Sequence, residues 1–151
     1  MQQEQALQCI SLKRWISITL SNPISTGVRE KFIASAHKSK ILARKCDDCG
    51  TVILETVLYC EKCQGNKFTI IEFDGIGVVN TFTIHTVPPE GFEDVDSYAW
   101  VIFTLDNVPL RVSGFLPGIK LPAELPIGSK VRVNGFDNKH GLLLTKFHRN
   151  D

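Results

Sequence analysis

Four of the five cysteines in this 151-residue chain fall in two Cys-x-x-Cys pairs. Cys46 and Cys49 form the first pair, Cys60 and Cys63 form the second, and ten residues separate the pairs. Two intervening residues let a tight turn direct both sulfurs of a pair at one ion, and Gly50 suits the positive φ that often follows such a turn. We therefore predict one structural Zn²⁺ whose ligands are Cys46, Cys49, Cys60 and Cys63.

The same thiols are also compatible with two disulfides or with a redox dithiol. Lys13 and Arg14 lie within the early apolar stretch and not ahead of it, so residues 6–20 make a poor signal peptide and we expect a cytoplasmic protein. Zinc thiolates are expected in that compartment and structural disulfides are rare there. A redox pair would need a thioredoxin-like βαβ context, which neither pair has. Four sulfurs leave no open position for water, which favours a structural and not a catalytic zinc. Cys9 has no partner.

A basic stretch of the chain, residues 29–46, precedes and enters the cysteine motif. Its positive charge could hold phosphates of a nucleic acid strand or of a nucleotide-like cofactor. The formal net charge is only +1, so nothing in the whole chain demands a nucleic acid or a membrane as partner. Four thiolates around Zn²⁺ carry a local charge of −2. We expect that charge to be offset by Arg44, Lys45, Lys62 and Lys67.

No catalytic residue is predicted. The histidines are His37, His85, His140 and His148. None of them lies beside a cysteine, serine or acidic residue in a recognisable catalytic pattern, although His85 could line a ligand cleft. The carboxylates of residues 90–96 lack the spacing of a calcium loop and are expected to form a solvated loop. Phosphate-binding, nucleophile-elbow and zinc-protease motifs are absent from the sequence.

The sequence predicts a mainly β protein in which a helix and a rubredoxin-like zinc ribbon precede a five-stranded OB-fold barrel. We place an N-terminal extension at residues 1–24, the helix and ribbon at 25–68, and the OB-fold domain at 69–151. Ser25 or Thr26 can cap a helix that starts near Gly27. The expected barrel strands are Ile76–Val87, Tyr98–Leu105, Leu110–Leu116, Lys130–Phe136 and Gly141–Phe147.

Within the first of these strands, alternation places Val78, Phe82 and Ile84 on one face. Core packing is the better interpretation of Phe82, and of Trp100 or Phe103, than a stacking platform for bases. Residues 117–127 contain prolines and are expected to form a long loop without a long helix.

Taken together, these pieces resemble the acyl-CoA-associated OB-fold proteins, a family once known only as a domain of unknown function. The resemblance covers about residues 28–148. It is carried by the cysteine motif and by the segments GVVNTFTI from residue 77, YAWVIFTLD from 98, RVSG from 111 and IGSKVRV from 127. The four cysteines match the zinc positions of the family. We call the two Cys-x-x-Cys turns the knuckles. The stretch between them reads LETV at 54–57, where family members often have prolines, so the usual loop shape is not expected.

The resemblance implies a non-catalytic partner of acyl-CoA enzymes. Small archaeal members bridge acetoacetyl-CoA thiolase and HMG-CoA synthase in the mevalonate pathway of isoprenoid biosynthesis, so that the acyl-CoA passes between the two enzymes. On this interpretation the ligand is a CoA thioester, and the candidates for binding its phosphates are Arg29, Lys38, Lys40, Arg44 and Lys45. A single-stranded nucleic-acid binder is the alternative, because zinc ribbons and OB-folds also occur in such proteins.

Overall fold

A helix and a three-stranded antiparallel sheet come first in the part of the chain that the structure describes. The structure is a computed structural model that describes residues 24–55 and 57–148. Helix α1 (Ile24–His37) leads into strands β1 (Lys40–Cys46), β2 (Val52–Leu54) and β3 (Phe68–Asp74), which pair in the order β2-β1-β3. The helix begins three residues before the predicted start, because Ser and Thr are tolerated in a first turn as well as at a cap.

Five further strands close into a barrel, as predicted. They pair in the order β4-β5-β6-β8-β7. Their bounds are β4 (Ile76–His85), β5 (Tyr98–Leu105), β6 (Arg111–Pro117), β7 (Lys130–Asp137) and β8 (Gly141–Lys146). The mainly β fold class and the OB-fold barrel are thus confirmed. The prolines of residues 117–127 permit only one short 3-10 turn, Pro122–Glu124.

In the first half of β4, the side chain that points to the core is not the one predicted. Val79 is 1% exposed and lies in the core, whereas Val78 is only half-buried. The register between β4 and β5 shifts between Val79 and Thr81, so a bulge at Asn80 changes which face each residue presents. Phe82 and Ile84, beyond the bulge, pack against the core as predicted. The prediction that Val78 shares their face was therefore wrong.

The sheet and the barrel share one hydrophobic core. Ile41 and Ala43 of β1 are fully buried and belong to the same cluster as Val79, Val101 and Phe103 of the barrel. At the junction, the N–H of Gly75 donates to the carbonyl of Ser39 at 2.9 Å, and the N–H of Val133 donates to the carbonyl of Gly75 at 2.7 Å. A side chain at Gly75 would lie 2.7 Å from Val133, so glycine permits this close approach.

The predicted domain bounds stay predictions. Strand β3 begins at the proposed boundary, residue 68, and pairs with β1 along its full length before the chain enters the barrel. The predicted N-terminal extension, including Cys9, lies almost wholly outside the described residues. Within residues 24–55 and 57–148, no helix is long and apolar enough to cross a membrane.

Candidate functional site

The two cysteine turns have the same backbone geometry. In the first, the N–H of Gly50 donates to the carbonyl of Cys46 at 2.9 Å; in the second, the N–H of Gln64 donates to the carbonyl of Cys60 at 2.8 Å. The donating residue has a positive φ each time, 74° at Gly50 and 63° at Gln64. The conformation predicted for Gly50 is confirmed. Gln64 adopts the same conformation without the freedom of a glycine, which indicates that the turn imposes it.

These turns bring the four sulfur atoms together. The Sγ atoms of Cys46 and Cys63 are 3.5 Å apart, those of Cys49 and Cys60 are also 3.5 Å apart, and all four lie within 4.8 Å of one another. A tetrahedral shell with a Zn–S distance of about 2.3 Å has sulfur–sulfur edges of about 3.8 Å, so the cluster fits Zn²⁺. The four cysteines are positioned to bind a metal ion, while their assignment as zinc ligands stays a prediction.

The thiols of this cluster compete for protons. Hydrogen bonds from the Thr51 hydroxyl and the Thr51 backbone N–H lower the pKa of Cys49 to about 6. The Gly65 N–H also acts to lower the pKa of Cys63, but the neighbouring Cys46 sulfur and the loss of hydration outweigh it and raise that pKa to about 12. A divalent cation would favour the deprotonated form of all four cysteines, because its positive charge stabilises each thiolate.

Arg44 forms a buried ion pair beside the cluster. Its Nε lies 2.8 Å from Oε2 of Glu55, and its Nη2 donates to Oε1 of Glu55 at 2.9 Å. Glu55 Oε2 accepts no well-aligned hydrogen bond, so the contact with Nε is mainly electrostatic. The Glu55 side chain is 0% exposed and that of Arg44 is 13% exposed. Nη1 of Arg44 also donates to the carbonyl of Val57 at 3.3 Å, and the guanidinium lies 5.7 Å from the Phe68 ring centre.

Arg44 therefore ties the segment after β2 to β1 and β3. Because its guanidinium is already paired with Glu55, it is poorly placed to bind a phosphate or to offset the thiolate charge. Sequence reasoning missed Glu55. The available signal was a single carboxylate inside the apolar run of residues 52–58, since an acidic residue in such a run requires a buried partner.

The other predicted phosphate contacts are not gathered into one cluster. Arg29 and Lys38 are exposed on α1 and just after it, and Lys45 is exposed on β1. Lys40 lies 3.9 Å from Glu72 in a half-exposed pair. Lys40 and Lys45 are separated by an odd number of strand positions and therefore point to opposite faces of β1. Their role in binding phosphate stays a prediction. Lys62 and Lys67 are exposed on either side of the second knuckle.

One end of the outer face of β5 and β6, around Tyr98 and Phe115, is covered by the loop between β4 and β5, residues 86–97. In OB-folds this face and the adjoining loops usually bind ligands. Phe92 of the loop lies over it, with ring centres 5.8 Å from Tyr98, 6.3 Å from Phe115 and 4.9 Å from His140. His85, which could have lined a cleft, instead stacks on Tyr98 at 4.8 Å.

Ionic contacts tie the same loop to the turn between β7 and β8. Asp94 Oδ1 accepts from Nζ of Lys139 at 2.5 Å, and Asp94 Oδ2 lies 3.6 Å from Nε2 of His140. Nδ1 of His140 contacts Asp137. We call Phe92, Asp94, Asp137, Lys139 and His140 the loop latch. The carboxylates of residues 90–96 are all exposed, which agrees with the predicted solvated loop, and Asp94 in addition pairs with Lys139. The acidic side chains of this loop also disfavour the nucleic-acid alternative, because negative charge beside the outer face repels the phosphate backbone.

Trp100 and Phe103 confirm the prediction that only one of them packs in the core. Phe103 is 0% exposed inside the barrel, whereas Trp100 is 40% exposed on the outer face beside the latch.

Comparison with protein families accounts for both parts of the fold. Residues 38–69 match the ChsH2 rubredoxin-like zinc ribbon domain, and residues 71–136 match the ChsH2 C-terminal OB-fold domain. Together the two ranges cover more than half of the chain. The chain thus contains a match to each of these two domains in the same order, and the resemblance found in its motifs is confirmed.

Two archaeal relatives are named DUF35 domain-containing scaffold proteins. The one from Methanocaldococcus jannaschii is 30% identical over 94 residues, which cover 62% of this chain and 65% of the relative. The chain thus spans slightly less than two thirds of that relative's length. The one from Methanothermobacter thermautotrophicus is 24% identical over 98 residues, which cover 64% of this chain and 72% of the relative.

Two solved structures have a similar fold. An Ltp2-ChsH2(DUF35) aldolase superposes with a TM-score of 0.61 at 19% identity, covering 78% of this chain and 92% of the other. A DUF35-family protein of unknown function from Sulfolobus solfataricus superposes with a TM-score of 0.56 at 20% identity, covering 89% of this chain and 98% of the other. At these identities the likeness concerns the fold alone.

Proposed function

We propose that this protein is a non-catalytic scaffold that bridges acetoacetyl-CoA thiolase and HMG-CoA synthase and helps to hold the acyl-CoA intermediate between them. The archaeal relatives bear the name scaffold protein, and the name of one solved structure pairs ChsH2 with Ltp2. The motif resemblance to acyl-CoA-associated proteins supports the choice of enzymes.

The observation that carries the proposal is the joining of a four-cysteine ribbon to the barrel through one core. A ribbon of about 30 residues cannot bury enough apolar surface to hold its own shape, and a metal ion supplies the missing constraint. The shared core then fixes the ribbon relative to the barrel. The ribbon and the barrel then present two surfaces at a fixed separation, which suits a protein that holds two enzymes together. Holding the enzymes together raises the effective concentration of a shared intermediate without any chemistry by the scaffold.

A role in holding CoA would use local charge. The exposed residues Arg29, Lys38 and Lys45 are the predicted contacts whose charges have no partner among the ion pairs of the described residues. A CoA thioester carries several phosphate charges, and such isolated basic side chains on a nearly neutral protein can attract it without a high net charge.

The test is to purify this protein together with the thiolase and the HMG-CoA synthase encoded in the same genome. We expect light scattering after size-exclusion chromatography to show a complex of all three, with one zinc ion per scaffold chain. In a coupled assay, the scaffold is expected to lower the amount of free acetoacetyl-CoA. Cys46→Ser, which removes a metal ligand, is expected to abolish the complex. Separate elution of three components at micromolar concentration would refute the proposal, as would salt-sensitive binding of a single-stranded oligonucleotide in place of the enzymes.

A further inference from the structure

Three consecutive apolar side chains are exposed on the ribbon between its two knuckles. Val57 is 37% exposed, Leu58 is 55% exposed and Tyr59 is 62% exposed. We call residues 57–59 the ribbon tip. The barrel also exposes large apolar side chains, with Trp100 and Ile102 on one face of β5 and Val87, Leu121 and Ile127 outside its strands, but none of these are consecutive in the sequence. Scattered apolar residues are normal on a protein surface, whereas a contiguous group marks an interaction site.

The ribbon tip is anchored on both sides. On its N-terminal side, the N–H of Val57 donates to the carbonyl of Leu54 at 3.1 Å, and the carbonyl of Val57 accepts from Nη1 of Arg44 at 3.3 Å. On its C-terminal side, the tip runs directly into Cys60, a fully buried member of the four-sulfur cluster. A segment anchored in this way loses little conformational entropy when it binds a partner, so more of the contact energy is available as affinity.

A groove of about 490 Å³ lies beside the ribbon tip. Its walls come from both parts of the molecule: Val52, Ile53, Leu54 and Val57 of the ribbon, and Pro109 and Leu110 of the turn between β5 and β6. Val52, Leu54 and Leu110 also pack in or against the common core, which keeps the two walls at a fixed separation. Because Val57 lines the groove, groove and tip form one continuous apolar surface.

Two opposite charges, Glu61 and Arg111, also line the groove. Both side chains are exposed, and neither takes part in an ion pair within the described parts of the chain. A ligand that fills the groove would therefore need an apolar centre with a basic group near Glu61 and an acidic group near Arg111. A protein segment has this chemistry, and charge pairs at the rim of an apolar patch are typical of protein interfaces.

We propose that the ribbon tip and the adjoining groove are the docking surface for a partner enzyme, which inserts an apolar side chain flanked by a basic and an acidic residue. This inference rests on the proposed scaffold function and names the surface that performs it. Leu58 and Tyr59 are the principal contacts, because they combine the largest exposed apolar area with a fixed backbone. Glu61 and Arg111 set the orientation of the partner.

The experiment measures the affinity of the zinc-loaded protein for the thiolase and for the HMG-CoA synthase separately. The test variants are Leu58→Asp, Tyr59→Ala and Arg111→Glu. The matched controls are Leu121→Asp and Val87→Asp, which place the same charge at similarly exposed apolar sites on the barrel. All variants are checked for zinc content and for the midpoint of thermal unfolding.

We expect Leu58→Asp and Tyr59→Ala to raise the dissociation constant for one enzyme by roughly tenfold or more, with Arg111→Glu producing a smaller increase that depends on salt. The barrel controls are expected to bind like the wild type. If the wild type binds an enzyme and all variants bind it equally well, the docking surface lies elsewhere and the scaffold function stands. If the wild type binds neither enzyme, both proposals fail. If the wild type forms a dimer that Leu58→Asp dissociates, the surface instead joins two copies of this chain.

Discussion

At the scale of single residues, the most informative side chain is Arg44. In the sequence it is one of several basic residues before the first knuckle, and it was a candidate for binding phosphate. In the structure, its guanidinium is paired with the carboxylate of Glu55, and the pair is almost completely buried. Two charges removed from water must satisfy each other, so neither is available to a ligand. The role of Arg44 is to fix the backbone on which the ribbon tip is presented.

This role predicts a large effect for removal of one partner. Glu55→Ala would leave the guanidinium buried without a counter-charge, and we expect it to lower the free energy of unfolding by about 3–5 kcal/mol. Urea denaturation measures the change. The double variant Arg44→Met/Glu55→Leu removes both charges and is expected to recover most of the loss. A loss below about 1 kcal/mol for Glu55→Ala, the range of exposed ion pairs, would contradict the assignment.

At the scale of structural elements, the loop latch decides which surface of the barrel is accessible. The loop of residues 86–97 is rich in acidic residues, and the sequence predicted a solvated loop. Its carboxylates are exposed as predicted, but Phe92 packs on Tyr98 and Phe115. A lone aromatic residue among carboxylates was the available signal, but its neighbours come from β5, β6 and the β7–β8 turn. Their proximity exists only after the barrel has closed.

The latch is expected to depend on pH. The hydrogen bond from Lys139 holds the pKa of Asp94 below its ordinary value, and the contact with His140 does the same for Asp137. A carboxyl group whose pKa is lowered on folding stabilises the folded form above its ordinary pKa, and this contribution is lost as the pH falls. The latch should therefore be complete at neutral pH and should loosen below about pH 4.

Ring resonances of Phe92 and Tyr98, followed by NMR between pH 7 and pH 3, would detect the opening. Asp94→Asn is expected to loosen the loop already at pH 7, because the amide cannot pair ionically with Lys139. Glu90→Gln is the matched control, since Glu90 lies in the same loop and forms no ion pair within the described residues. Ring signals of Asp94→Asn that match those of the wild type across this range would exclude the ionic part of the latch.

At the scale of the whole molecule, the ribbon and the barrel are joined by one core and not by a linker. Ile41 of β1 is 0% exposed in the same cluster as Leu105 and Val133 of the barrel. The metal-binding turns lie at the far end of the sheet that β1 and β3 form. The cysteine cluster and the barrel are consequently expected to unfold as one cooperative structure, although their sequences resemble two separate modules.

Ile41→Ala tests this arrangement. The lost side-chain volume is expected to lower the free energy of unfolding by about 2–5 kcal/mol. Release of zinc, measured with a colorimetric chelator, and loss of the near-ultraviolet circular dichroism of the barrel should then shift together to lower denaturant concentration. Two separate transitions, with zinc release unaffected by the substitution, would show that the ribbon and the barrel unfold independently.

The sequence by itself was sufficient for the clustering of the four cysteines and for most strand positions. The geometry of each cysteine turn depends only on contacts within a few residues. The spacing of the thiols, and the glycine at the position of the first turn that needs a positive φ, are therefore readable from the sequence. Strand β5 matches its predicted bounds for the same reason, because alternation between buried and exposed positions is local. Val78 shows the limit of such reasoning, since one bulge reverses the facing of a strand without a strong local signal.

Tertiary structure decided how the charged and aromatic side chains are used. Arg44 pairs with Glu55, and Phe92 packs on the outer face of the barrel. The ribbon tip is exposed beside a groove whose second wall comes from the barrel. Each of these outcomes depends on residues far apart in the chain, and the energy of a buried charge or an aromatic contact is set by what surrounds it after folding. The cysteines identify the predicted metal site, and the packing around them determines which surface a metal bound there would hold in shape.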